Sequence, residues 1–137
     1  MYVVKPETAV ETSISGLYVC PDGTVYGTDK KGVYKIKTYL NTNGGSASWK
    51  YGYYKFHYNG HTRSVHRVVA EAFVPGYKPG LVVDHINNDS RDNRAENLQW
   101  ITRGANTEKF WDSLTDEELE EIRELITKKL EEKNGNS

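Results

Sequence analysis

The sequence predicts an α+β fold, in which N-terminal β-rich hairpins precede a strand–loop–strand–helix unit and a C-terminal amphipathic helix. Three observations support this prediction. In the first 65 residues, short segments whose side chains alternate between two faces are separated by turn signals. Two short apolar runs, residues 81–84 and 98–101, flank a polar loop. A stripe of apolar residues at helical spacing follows residue 115.

The length of 137 residues is that of about one domain. We expect one compact domain with three regions. Residues 1–48 form a β-rich N-terminal region, residues 49–111 form the functional core with an aromatic and basic hairpin, and residues 112–137 form an acidic helix.

Composition and charge exclude several classes of protein. No apolar run approaches the roughly 20 residues that a membrane-spanning helix needs, and the N-terminal residues lack the pattern of a signal peptide. Cys20 is the only cysteine, which rules out an intramolecular disulfide and a cysteine-based zinc site. We therefore expect a soluble, cytoplasmic protein that does not bind membranes.

The net charge of −1 hides an asymmetry along the chain. Residues 1–111 carry 14 basic and 10 acidic residues, a net of +4, whereas residues 112–137 carry 4 and 9, a net of −5. A mildly basic body is compatible with nucleic-acid binding, although composition alone does not indicate it.

The N-terminal hairpins follow from turn chemistry. Residues 21–23 read Pro-Asp-Gly between two apolar stretches, which predicts a turn between strands at 17–19 and 24–26. Successive side chains of residues 32–39 fall on alternate faces, which predicts a further strand. Residues 41–48 are rich in Asn, Gly and Ser and predict a flexible loop.

A second hairpin is predicted over residues 49–65. Tyr54, Phe56 and Tyr58 lie on one face of its first strand, 49–58, and Tyr53, Lys55 and His57 lie on the other. The dipeptide at residues 59–60, Asn-Gly, is the strongest short hairpin signal, because a type I′ turn needs positive φ at both positions. Residues 61–65 form the return strand.

The rest of the chain predicts two strands and three helices. Residues 66–73 have helical spacing. Strands 81–84 and 98–101 pair in antiparallel fashion, and a short helix runs from residue 102 or 103 to 110. The last helix starts at a capping box formed by Thr115 and Glu118.

The last helix carries an apolar stripe that must be covered, because an isolated helix of this length is only marginally stable in water. The stripe packs either on the body of the protein near Trp111 or on the same helix of a second copy. We favour a monomer, with a weak homodimer as the alternative. The stripe consists of Leu119, Ile122, Ile126 and Leu130, broadened by Leu125.

The chemistry-bearing residues lie at the end of the first apolar run. Asp84 is a hard oxygen ligand suited to Mg²⁺. His85, with an ordinary pKa of about 6.5, can be neutral and take a proton from water. If the strand ends here, both side chains can face one site. Asn106, on the following helix, can offer an amide oxygen to the same ion, and this combination suits phosphodiester hydrolysis.

Each residue also has an ordinary structural explanation. An Asp-His pair at a strand end is more often part of a turn, and Asn97 could simply be a turn residue that bonds its own backbone. Asn106 could be an ordinary polar position on a helix. The order and spacing of the three segments that contain these residues decide between the two interpretations.

Those segments resemble the HNH nucleases, in the variant found in phage and intron-encoded homing endonucleases. The stretch HRVVAEAFVP at residues 66–75 is similar to the family's HRLVAEAF helix. VDHIN at 83–87 is similar to its V(N/D)HIDG strand end, and NRAENLQW at 93–100 to its NNRxENLEW segment. The resemblance covers roughly residues 50–110.

The resemblance implies a ββα-metal (HNH) motif, which agrees with the strand–loop–strand–helix reading. It implies a metal-dependent endonuclease that cuts or nicks double-stranded DNA, leaving 5′-phosphate and 3′-hydroxyl ends. By position, His85 matches the general base, and Asn97 matches the residue that holds the loop and the base. Asp84 and Asn106 match the metal ligands, which makes this an H-N-N variant. The ion implied is Mg²⁺, with Mn²⁺ or another divalent cation as alternatives.

Further DNA contacts are expected from basic residues. Arg67 matches the family's helix and is expected to contact phosphate; His66 either has a role there or forms only a hydrogen bond at the helix start. The hairpin fits a major groove, and its basic side chains supply phosphate contacts. The alternative is a solvated strand face without a DNA contact. The basic residues of the hairpin expected to bind DNA are Lys50, Lys55, His57 and Arg63.

Two other functions remain open from the sequence. The protein could bind DNA on the same scaffold without catalysis, or it could be an assembly partner, for example in phage packaging, that uses the acidic helix. The filled motif positions disfavour the first of these, because an inert copy has no chemical need for Asp84 and His85 together. If the protein is phage-encoded, it acts in the cytoplasm of a host bacterium.

Overall fold

The computed structural model describes residues 1–42 and 52–135, without the side chains of residues 134 and 135. Its contacts divide the chain into two compact units, Met1–Asn106 and Thr107–Ser137. Lys50 and residues 49–51 of the predicted hairpin lie outside the described residues, as do residues 43–48 of the predicted loop. No helix in the described ranges is long and apolar enough to span a membrane.

The N-terminal region forms an antiparallel five-stranded sheet in the order β1-β5-β4-β3-β2. The predicted turn after β3 is present. Gly23 has φ of 95°, and the side chain of Asp22 accepts a hydrogen bond of 2.8 Å from the backbone N–H of Thr24. The strands are β1 (Tyr2–Val3), β2 (Val10–Glu11), β3 (Tyr18–Val19), β4 (Val25–Asp29) and β5 (Gly32–Lys35).

The prediction of one strand over residues 32–39 is wrong. The chain forms two strands there, β5 and β6 (Tyr39–Asn41), which belong to different sheets. The reason is Ile36, whose side chain is buried in the core. Its backbone N–H still bonds the carbonyl oxygen of Val25, after which the chain leaves the first sheet.

A three-stranded antiparallel sheet follows in the order β6-β7-β8, with β7 at Tyr53–Tyr58 and β8 at His61–Ser64. The predicted type I′ turn is confirmed by positive φ at Asn59 (51°) and Gly60 (76°). Gly52, which lies within the predicted strand 49–58, is not part of β7. Gly52 has φ of 79°, a conformation outside the extended range of a strand.

The strand–loop–strand–helix unit is confirmed. Helix α1 (Val65–Phe73) precedes β9 (Val82–His85), which pairs with β10 (Leu98–Ile101) in antiparallel register. A 3₁₀ turn, Ala95–Asn97, leads into β10, and helix α2 (Arg103–Asp112) follows it. Strand β9 is displaced by one residue from the predicted 81–84, so that His85 is its last residue.

The hydrophobic core lies between α1 and the sheets of the first unit. Phe56 from β7 and Val69 from α1 are fully buried, together with Leu17, Val19 and Val25 from the N-terminal sheet. Leu98 of β10 belongs to the same cluster. The core therefore joins α1 to all three sheets, which fixes the position of β9 against α1.

Helix α3 (Asp116–Gly135) carries the predicted capping box. The Thr115 hydroxyl accepts from the Glu118 backbone N–H, and the Glu118 carboxylate accepts from the Thr115 backbone N–H, each at 3.1 Å. The expected burial of the stripe is not seen along its whole length. Leu125, Ile126 and Leu130 are 61%, 51% and 55% exposed.

Candidate active site at the end of strand β9

Asp84 and His85 close strand β9, and each is only 6% exposed. Asp84 stands opposite Gln99 in the β9–β10 ladder, and its Oδ2 accepts a hydrogen bond of 2.8 Å from Gln99 Nε2. His85 stands opposite Leu98. A buried carboxylate beside a buried imidazole is costly unless both are hydrogen-bonded, and here both have partners.

The imidazole of His85 is oriented by Asn93. Nε2 of His85 lies 2.7 Å from Oδ1 of Asn93, which is itself buried. With the amide oxygen as acceptor, Nε2 carries the proton, so the lone pair of the neutral ring is on Nδ1. The basic nitrogen of the candidate site is therefore Nδ1.

Asn97 ties the loop after β9 to the start of β10. Its Oδ1 accepts from the backbone N–H of Asn87 at 3.1 Å, and its Nδ2 donates to Asn87 Oδ1 at 3.0 Å and to the Asp92 carbonyl at 2.9 Å. The Asn97 carbonyl also accepts from the backbone N–H of Ile86 at 2.7 Å. The loop that contains Asn93 is thereby held in place.

Three rings from different elements meet at the site. Tyr53 of β7, His66 of α1 and His85 of β9 have ring centroids 5.0 Å (Tyr53–His66), 6.1 Å (Tyr53–His85) and 5.3 Å (His66–His85) apart. The loop is also held to the chain before β7, since Ser90 Oγ donates to the carbonyl of Gly52.

Burial sets the electrostatics of the rings. It lowers the pKa of His85, and the hydrogen bond that His85 donates to Asn93, together with nearby carboxylates, only partly opposes this shift. Burial, and then the neighbouring His85, lower the pKa of His66 to about 3. Burial and the charge of Asp84 raise the pKa of Tyr53. At neutral pH, all three rings are therefore uncharged.

Asn106 lies in the first unit on α2 and is half-buried. Its backbone N–H bonds the carbonyl of Thr102 at 3.0 Å, so it belongs to the first turns of the helix that directly follows β10. Asp84 and Asn106 offer a carboxylate and an amide oxygen, hard donors that fit Mg²⁺. Among the described residues, no group of three or more His, Cys, Asp or Glu side chains could hold a metal ion.

The residues predicted to bind DNA are divided between different surfaces. Lys55 and His57 lie on the same face of β7 as Tyr53, whereas Arg63, opposite Phe56, lies on the other face. Arg63 Nε donates to the Tyr58 carbonyl at 3.3 Å.

His57 and Arg67 both have contacts within the protein. The His57 ring stacks on Tyr39 and its Nδ1 lies 3.0 Å from the hydroxyl of Thr62. Arg67 lies outside the hairpin, on α1. It pairs with Glu71 at 2.6 Å and packs over the Trp100 ring, 5.2 Å from its centroid.

The sequence predicts no role for Asn93, Gln99 or Tyr53. For His66 it leaves two alternatives open, a role in the site or a hydrogen bond at the helix start. Asn93 opens the segment NRAENLQW, but its spacing from His85 does not predict contact without the loop conformation. Gln99 could have been found from the antiparallel register, which places it opposite Asp84. Tyr53 shows no signal in the sequence, since β7 reaches the site only through tertiary packing.

Comparison with known proteins agrees with this geometry. Residues 63–108 match the family model described as HNH endonuclease. The DNA endonuclease I-HmuI of Bacillus phage SP01 is 47% identical over 49 residues, 36% of this chain and 28% of that protein. An uncharacterised HNH endonuclease of Acanthamoeba polyphaga mimivirus is 48% identical over 48 residues, 34% of this chain and 12% of that protein.

A solved structure, titled DNA binding and cleavage by the HNH homing endonuclease I-HmuI, matches with a TM-score of 0.60 and 29% identity, over 82% of this chain and 63% of that one. The resemblance to HNH endonucleases and the α+β fold predicted from the sequence are thereby confirmed. The aligned segments span 28% and 12% of the length of the two relatives.

Proposed function

We propose that this protein is a metal-dependent endonuclease that hydrolyses phosphodiester bonds in double-stranded DNA, with His85 as general base. The observation that carries the proposal is the hydrogen bond between His85 and Asn93, which leaves the lone pair on Nδ1 of a ring adjacent to the Asp84 carboxylate. The match of residues 63–108 to HNH endonucleases supports the same reaction class.

In this reaction, Nδ1 of His85 takes a proton from a water molecule as its oxygen attacks the phosphorus. The new P–O bond forms as the bond between phosphorus and the 3′ oxygen breaks. The 3′ oxygen then takes up a proton, and His85 returns its own to solvent. The products are a 5′-phosphate and a 3′-hydroxyl, so atoms and charge balance.

Asp84 and Asn106 would hold the divalent cation, which is Mg²⁺, with Mn²⁺ or another divalent ion as alternatives. When bound, such an ion neutralises charge on the phosphate and on the leaving oxygen. Gln99 orients the Asp84 carboxylate through its hydrogen bond to Oδ2, and partners of this kind fix the geometry of metal ligands. Asn97 acts through the loop, since its three side-chain hydrogen bonds fix the backbone that carries Asn93.

DNA would lie along the surface that carries the site. Lys55 and His57 share a strand face with Tyr53, which is part of the site, so they are proposed as phosphate contacts beside it. Arg67 on α1 and Arg63 on the opposite strand face are proposed as phosphate contacts at its margins. Lys50 is proposed on sequence grounds alone.

A plasmid assay tests this function. Supercoiled plasmid is incubated with the protein and either Mg²⁺ or a chelator, and the expected product is relaxed or linear DNA in the Mg²⁺ sample only. DNA ligase should reseal relaxed circles, since ends with a 5′-phosphate and a 3′-hydroxyl are its substrate. Plasmid that is bound but uncut in Mg²⁺ would instead favour a DNA-binding or assembly protein without catalysis.

The proposed active form is a monomer, with a weak homodimer through α3 as the alternative. The exposed side chains of Leu125, Ile126 and Leu130 are what a second copy would cover. Sedimentation of the wild type and of an Ile122→Asp/Ile126→Asp variant separates the two. If the wild type is a dimer and the variant is a folded monomer, the proposal of a monomer is wrong.

A further inference from the structure

His66 is the second histidine of the site, and the reaction proposed above does not use it. Its ring is tilted by 41° against the ring of Tyr53 and set edge-on at 61° to the ring of His85. The three elements that contribute these rings belong to the same packed unit. The position of His66 relative to the proposed base is therefore fixed by the core.

The hydrogen bonding of His66 is incomplete. In the part of the chain that the structure describes, its Nδ1 is buried and has no hydrogen-bond partner. Among the described residues, Nδ1 therefore does not make the hydrogen bond at the start of α1 that would be the ordinary explanation of this residue. Ser64, the residue at the N-cap, makes no side-chain capping bond either.

The unpartnered nitrogen indicates the tautomer. A neutral imidazole carries its proton on one nitrogen and a lone pair on the other. A buried N–H without a partner is rarer than a buried acceptor without one, so Nδ1 holds the lone pair and Nε2 holds the proton. Because the side chain is only half-buried while Nδ1 is fully enclosed, the accessible part of the ring lies toward Nε2.

The ring stays neutral in this position. Burial is the main cause, and the neighbouring His85 with the positive charges of Lys55 and Arg67 adds to it; together they lower the pKa to about 3. Of these two positive charges, Arg67 is paired with Glu71, whereas Lys55 can attract a phosphate. His66 therefore offers an uncharged N–H next to the proposed base.

We propose that His66 is a second catalytic residue, whose Nε2–H donates a hydrogen bond to a non-bridging oxygen of the phosphate attacked by the water that His85 deprotonates. The inference rests on the proposed function. The attacking water would lie about 2.8 Å from Nδ1 of His85, with the phosphorus about 3–3.5 Å beyond it. The ring centroids of His66 and His85 are 5.3 Å apart, a separation that lets one phosphate group be contacted from both rings.

Such a donor gains strength as negative charge accumulates on the phosphate oxygens. Removing one preorganised donor of this kind lowers the rate by on the order of 10²-fold. A ring that only packs against Tyr53 and His85 would have no such effect if its volume were retained. The two roles therefore predict different outcomes for matched substitutions.

Three substitutions distinguish a hydrogen-bond donor from a ring that only packs. His66→Gln places an amide N–H close to the position of Nε2, His66→Asn places one close to Nδ1, and His66→Phe retains an aromatic ring without a donor. The rates of plasmid relaxation in Mg²⁺ are measured with the protein in excess over DNA, together with the affinity for the plasmid and the thermal midpoint of each variant.

We expect His66→Gln to retain most of the wild-type rate, and His66→Asn and His66→Phe to lose on the order of 10²-fold with the affinity for plasmid little changed. Equal rates in His66→Phe and the wild type would overturn the inference while leaving the endonuclease in place. Equal losses in all three variants would show that an amide N–H at the position of Nε2 cannot replace the ring, which also overturns the inference. If the wild type does not cut DNA, the proposed function and this inference are both wrong.

A second readout does not depend on cleavage. The protein contains 4 histidines, so spectra of ¹⁵N-histidine-labelled wild type and His66→Gln identify the resonances of His66. We expect the neutral ring to carry its proton on Nε2 at pH 7. A proton on Nδ1 would overturn the inference, whatever the cleavage rates of the variants.

Discussion

Asn93 Oδ1 lies 2.7 Å from Nε2 of His85, and both side chains are 6% exposed. This single hydrogen bond determines which nitrogen of the imidazole is basic. The pair is formed across the loop between β9 and β10, whose backbone is fixed by Asn97. The tautomer of the proposed base thus depends on a residue eight positions away in the sequence.

Replacing Asn93 should therefore impair cleavage through His85. Asn93→Leu removes the acceptor at similar volume, and we expect the rate of plasmid relaxation to fall about 10–100-fold, the usual effect of losing such a partner. Asn93→Asp retains the acceptor and should keep more activity than Asn93→Leu. If the two variants cut equally fast, the hydrogen bond does not set the tautomer.

The pH dependence of cleavage follows from the shift in the pKa of His85. Burial lowers this pKa below its ordinary value. A base must be deprotonated to act, so the rate should rise with pH and its midpoint should lie below about pH 6.5. The measurement is the single-turnover rate from pH 5 to 8, with folding checked by circular dichroism. A midpoint above about pH 7 would contradict the assignment.

Asp84→Ala and Asn106→Ala should weaken metal binding as well as cleavage, because these residues supply the proposed oxygen ligands. Calorimetric titration with Mg²⁺ or Mn²⁺ measures this directly. Glu108→Ala is the matched control, since it removes an exposed carboxylate from the same helix as Asn106. If Asn106→Ala binds the metal ion as tightly as the wild type does, Asn106 is not a ligand.

Asn97 should matter for stability as well as for activity. Asn97→Ala removes three side-chain hydrogen bonds and leaves the backbone N–H of Asn87 without its acceptor. We expect the free energy of unfolding in urea to fall by about 1–3 kcal/mol. Glu96→Ala, next to it and exposed, should change it by less than about 0.5 kcal/mol. Comparable losses in both variants would show that Asn97 does not hold the loop.

The local elements could be predicted from sequence because their signals are local. The Asn59-Gly60 turn, the alternation of buried and exposed residues along β7, and the capping box at Thr115 all depend on residues a few positions apart. The continuous strand over residues 32–39 was wrong because Ile36 turns into a core contributed by distant segments. Alternation alone does not reveal such a competing contact.

The candidate site could be predicted only in part for the same reason. Asp84, His85 and Asn97 follow from the motif and its order, and the structure places all three at the junction of β9 and β10. Tyr53 joins the site because β7 packs beside α1, and the sequence carries no mark of that contact. Arg63 and Lys55 lie on opposite faces of the hairpin because of how its two strands pair. The predicted hairpin already implied this pairing.

The central claim is that His85 activates the water that cuts DNA, and the rate of plasmid relaxation by His85→Ala tests it most directly. The wild type and the variant are compared in Mg²⁺ with protein in excess, after both have been shown to bind the plasmid equally. We predict that the variant is slower by about 10²–10⁴-fold, the usual effect of removing a general base. Wild-type rates in His85→Ala would contradict the account.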